Sequence, residues 1–141
     1  MKSSKVLYWF LLFAICSIAY QQVQDTIRPS YIGGDPIIKY LLGVAPNFFP
    51  SIGIPALFFF LLPSIVNDNT RKNRWLNEKR HITANLISIT GLVSWEFLQI
   101  MTAKGHFDWH DVLWTLIGAA VFQLIWIVTP NSFKKNEGDE S

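Results

Sequence analysis

A single cysteine, Cys16, stands among 141 residues, so no intrachain disulfide is available and packing must hold the fold. The chain has no Gly-rich phosphate loop and no nucleic-acid-binding motif, which removes nucleic acid from the expected partners. It also lacks the strict apolar–polar alternation of half-buried or barrel strands. Charge is sparse: 16% of residues are charged and the formal net charge is +2. No serine or cysteine stands beside a histidine–acid pair, because Ser94 and Cys16 fall in other segments. No enzyme activity and no cofactor are therefore expected.

What the chain has instead is apolar surface. Half its residues are apolar, 15% are aromatic, and the surplus is gathered into four blocks: Val6–Tyr20, Phe48–Val66, Ile82–Met101 and Val112–Thr129. Crossing a hydrocarbon core of about 30 Å takes roughly 20 residues at 1.5 Å each. The last three blocks reach that length; the first must borrow Gln21 and Gln22. The blocks predict an all-α, integral membrane four-helix bundle over residues 1–133, with helices at about 6–22, 48–66, 82–101 and 111–129. A short charged tail, 134–141, follows. Pro50, Pro55 and Pro63 are expected to bend the second helix without breaking it. Residues 21–47 read as a long outer connection, with a short interfacial helix over Pro36–Val44 as one alternative and a plain linker as the other.

Lys2, Lys5, Arg71, Lys72, Arg74, Lys79, Arg80, Lys134 and Lys135 lie on one side of this layout, and only Arg28, Lys39 and Lys104 on the other. Nine against three places both termini and the 67–81 loop in the cytoplasm of a bacterial plasma membrane protein. Tyr8, Trp9, Trp75 and Trp109 fall near the expected interfaces. Lys2 and Lys5 before an apolar run ending in Ser17-Ile18-Ala19 also fit a cleavable signal peptide, whose removal would leave three helices.

Candidate chemistry gathers at the outer end of helices three and four. A carboxylate at bilayer depth is costly and usually serves a site, which singles out Glu96. Glu96 and Gln99 share a helical face, being about 60° apart, and Asn85 returns to within about 20° of it. This stripe is expected to face the bundle. On helix four, Asp111, Thr115, Gly118 and Phe122 align, and the small Thr115 and Gly118 let another backbone come close. Asp108 and Asp111 also suit the cap and third position of a helix N-terminus, a purely structural role. Glu96 and Gln99 have a structural role open to them too, an interhelical hydrogen bond worth about 1 kcal/mol. His106, Asp108 and His110 are weak candidates for a metal; no cysteine flanks them, and isolated His and Asp more often cap helices or meet water. Gln123 reads as a packing contact.

The pattern Glu96-x2-Gln99, a short acidic outer loop, then Asp111 and Gly118, resembles the VanZ-like family of small bacterial membrane proteins. The likeness is specific over Glu96–Ala120 and architectural elsewhere. This chain departs from it at Lys104-Gly105, where such proteins often carry an arginine, and at Thr115, where they carry an asparagine. The family takes its name from a member linked to resistance to the lipoglycopeptide teicoplanin. The resemblance implies binding of an amphiphile or a lipid-linked envelope component at the outer leaflet, with membrane lipids or a lipoglycopeptide as partner. Glu96, Gln99, Asp108, Asp111, Thr115 and Gly118 are the expected site. The alternative is a small secondary transporter of a cation or of a cation-chelated organic anion such as Mg-citrate, with Glu96 as the ion site. Four helices would need a homodimer to enclose such a route.

Overall fold

Asp35 and Pro36 decide where the second helix starts. The Asp35 carboxylate accepts from the backbone N–H of Ile37 at 2.8 Å and of Ile38 at 3.3 Å. Pro36 occupies the first helical position, where its missing N–H costs nothing. From there a single helix runs Pro36–Ile65, unbroken by Pro46, Pro50, Pro55 and Pro63. The computed structural model describes residues 2–65, 78–102 and 107–134.

Four main helices pack together. They are α1 (Lys2–Gln21), α2 (Pro36–Ile65), α3 (Arg80–Gln99) and α4 (Trp109–Val128), followed by one turn, α5 (Asn131–Lys134). Helix α1 does not stop at Gln21: a π-helical stretch, Gln22–Ile27, and one more turn, Arg28–Ser30, continue it. The chain is thus an all-α, multi-pass membrane protein. Three helical segments, Ser4–Ser30, Pro36–Pro63 and Trp109–Val128, are long and apolar enough to cross a bilayer.

This layout corrects two expectations. The connection over residues 21–47 is no long loop, because helix fills it from both sides and leaves only Tyr31–Asp35 without helix. Hydropathy marks depth in the bilayer, not helix ends, and the glutamines after Tyr20 are good helix formers. The expected weakness of the first block also moves to the third. Helix α3 matches α4 in length, but its Thr83, Asn85, Ser88, Thr90, Ser94 and Glu96 dilute its apolarity.

Helix α2 is the centre of the bundle and touches α1, α3 and α4. At one end Trp9, Ala56, Phe59, Leu62, Ala84 and Phe122 form the apolar core. Trp9 is fully buried. Its ring lies 4.6 Å from that of Phe59, and its indole N–H donates to the Phe133 carbonyl at 3.0 Å, which ties α5 down. The Arg80 guanidinium closes this end over the Phe59 ring at 4.7 Å. Close helix contacts depend on glycine: a Cβ at Gly53 would stand 2.8 Å from the Cys16 Cβ, where α1 meets α2.

Candidate functional site

The polar stripe of α3 faces inward. Asn85, Ser88 and Glu96 are all buried, and Gln99 is half-buried. Antiparallel pairing sets their neighbours on α4. The Asn85 amide donates to the Ala119 carbonyl at 3.0 Å, and Gln123 donates to the His81 carbonyl at 3.2 Å, so Gln123 is a fastener. At the other end Glu96 comes within electrostatic reach of Asp111 and Asp108. The expected interhelical bond between Glu96 and a neighbour is absent among the described residues. Gln99 donates to Glu96 Oε1 at 3.1 Å within the same helix.

Glu96 Oε2 has no hydrogen-bond partner among the described residues, although the side chain is only 2% exposed. An unpaired buried polar atom costs about 1–3 kcal/mol, more when charged. Such an atom in a membrane bundle wants a donor.

Asp111 is half-buried, and the Asn47 side chain and the Arg28 guanidinium are near enough to act on its carboxylate. Neither Asn47 nor Arg28 stood out in the sequence. Once α2 is known to start at Pro36, however, Tyr40, Val44, Asn47 and Ser51 follow one another at helical spacing on one face. Tyr40 adds a second polar link. Its phenol oxygen accepts from the Trp114 indole at 2.9 Å and lies 3.2 Å from His110 Nδ1. Phe48 packs edge-on to Trp114, with ring centroids 5.8 Å apart.

The remaining expected residues divide by role. Asp108 caps α4, accepting from the His110 N–H at 2.8 Å. Thr115 donates to the Asp111 carbonyl at 2.9 Å and is buried. Gly118 is buried where α4 crosses α2, so its role is close approach. His106 and Lys104 lie outside the described residues, as do most of the 67–81 loop and the tail from Lys135. Among the described residues no three of His, Cys, Asp and Glu converge as metal ligands.

This end of the bundle therefore brings together Glu96 and Gln99 from α3, Asp111 from α4, Asn47 and Tyr40 from α2, and Arg28 from the extension of α1. It is rich in acceptors, with the Arg28 cation at its edge. The chain matches no protein-family model, no curated protein and no solved structure.

Proposed function

We propose that this chain is a VanZ-like protein of the bacterial plasma membrane. Its role is to bind, rather than transform, an amphiphile or lipid-linked envelope component by its head group at the outer ends of α3 and α4. The carrying observation is the buried, unpartnered Glu96 Oε2 within reach of Asp111. Carboxylate oxygens in a dry seam call for donors, so the head group carries an ammonium or hydroxyls. Arg28, whose charge reaches Asp111, suits a phosphate linking that head group to its lipid. The exposed rings of Tyr40 and Trp109 offer an amphipathic rim. The basic-residue asymmetry supports four crossings with both termini cytoplasmic, α3 included.

Mass spectrometry of lipid retained by the purified protein tests the reading. Glu96→Ala and Gln99→Ala should lose a specific lipid while the bundle stays folded; an unchanged lipid profile rejects it. Reporter fusions at Asn73 and the C-terminus should read cytoplasm, and one at Gly34 the opposite side.

A second reading, cation transport, is favoured by one observation. The carboxylates of Glu96, Asp111 and Asp108 act on one another at one end of the bundle, which concentrates cations there. Proteoliposome flux that vanishes in Glu96→Gln would support it; a flat response to Mg²⁺, Na⁺ and proton gradients would reject it.

A further inference from the structure

Among the described residues, three of the four buried Ser and Thr hydroxyls bond a carbonyl of their own helix, and one does not. Ser51 donates to the Phe48 carbonyl at 2.7 Å, Thr115 to Asp111 at 2.9 Å and Thr129 to Ile125 at 2.6 Å. These are the local bonds a hydroxyl makes in a helix when nothing else is offered. Ser88 makes none, although it is only 2% exposed. Three residues earlier, Asn85 is 7% exposed, and its Oδ1 is also without a partner among the described residues. The Asn85 amide nitrogen is committed to the Ala119 carbonyl at 3.0 Å, so the amide is not free to turn round. Oδ1 is held facing away from that bond as a pure acceptor.

A third oxygen comes from α2, which packs against α3. Pro55 has no N–H for the carbonyl four residues back, so the Ser51 carbonyl loses its helical partner. Ser51 is fully buried where α2 crosses Gly118, next to the Ala119 that Asn85 holds. Carbonyls freed within membrane helices and neutral side-chain oxygens are the materials from which dehydrated monovalent cations are coordinated.

We infer that Asn85 Oδ1, Ser88 Oγ and the Ser51 carbonyl form a second, deeper binding station in the bundle, for a monovalent cation of the size of Na⁺. This station is separate from the head-group site, since Ser88 lies about 12 Å along the helix from Glu96 at 1.5 Å per residue. Its ligands are all neutral. That selects against Mg²⁺, which gives up its water reluctantly and asks for carboxylate or phosphate charge. Sodium sheds water at lower cost, and three fixed oxygens with water completing the shell suit it.

The test is thermal unfolding of the purified full chain in detergent, in NaCl against N-methylglucamine chloride at equal ionic strength. Sodium should raise Tm by about 5 °C at saturation, and MgCl₂ at matched ionic strength should not. The shift should persist in Glu96→Gln, which touches only the outer site, and should vanish in Ser88→Ala. Asn85→Leu should abolish it too, but that variant also removes the Ala119 bond, so Ser88→Ala is decisive if it fails to fold. Equal Tm in sodium and the organic cation, a shift produced by Mg²⁺ alone, or a sodium shift undiminished in Ser88→Ala overturns the station.

Discussion

The hydroxyl of Ser51 on α2 occupies the place where residue 118 of α4 would carry a side chain. A Cβ there would collide with Ser51 Oγ and come 2.7 Å from the Phe48 carbonyl oxygen, which belongs to backbone and has no rotamer to yield. Gly118→Ala should therefore destabilise the bundle by about 1–3 kcal/mol, the usual cost of overpacking a tight contact. Ser51→Gly in the same chain should restore only part of the loss, because the Phe48 carbonyl remains. Thermal unfolding of the two single variants and the pair measures this. A Gly118→Ala protein as stable as the parent contradicts the crossing.

Glu96 separates a fastener from a site. Glu96→Gln keeps an oxygen for the Gln99 amide, now 3.1 Å from Oε1, and turns the unpaired acceptor into an amide N–H. The fold should survive with a stability change of no more than about 1 kcal/mol, the net worth of one hydrogen bond. Retention of the head-group lipid should be lost, because a donor replaces the acceptor that the ligand needs. Lipid mass spectrometry beside the melting curve decides, and a Glu96→Gln protein with the parental lipid ends the site's claim on this residue.

The inward stripe of α3 was legible, since Asn85, Glu96 and Gln99 follow helical spacing and charge cannot face lipid cheaply. So was the face of α4 that buries Thr115, Gly118 and Phe122. Asp35-Pro36 is legible in principle as a cap followed by proline, but the continuous apolar run starts only at Phe48, so hydropathy sets the helix start there and not at Pro36. That misplacement hid Asn47 and Tyr40, whose common face exists only in the longer helix. Arg28 was visible only as an outer charge; its proximity to Asp111 depends on α1 running on past Gln21, which no apolar pattern announces. Ser88 escaped because a lone serine in an apolar helix ordinarily bonds its own backbone.

Asp108 and Asp111 should part company. Asp108 is exposed and caps α4 through the His110 N–H at 2.8 Å. Asp108→Ala should cost about 1 kcal/mol, the typical worth of an N-cap, and leave the retained lipid unchanged. Asp111→Asn should do the reverse, altering lipid retention with little effect on melting, because Asn keeps the size and shape of the side chain and one of its oxygens. If both variants behave alike in both assays, the division of roles is wrong.

Arg28 is exposed and acts on Asp111 through its charge alone, so this attraction should contribute less than about 1 kcal/mol to stability and fade with salt. Its weight should fall on the ligand instead. A phosphate beside the guanidinium gains a charge-assisted hydrogen bond worth about 1.5–3 kcal/mol, so Arg28→Gln should weaken binding of a phosphate-linked amphiphile about tenfold or more. Arg28→Lys should recover only part, since a point charge cannot match the planar fork. Titrating the purified variants with short-chain phospholipid, alongside a phosphate-free glycolipid of equal chain length, isolates the effect. The phosphate-free ligand should bind all three proteins equally. Equal loss for both ligands would mean that Arg28 shapes the outer end of the bundle without reading a phosphate.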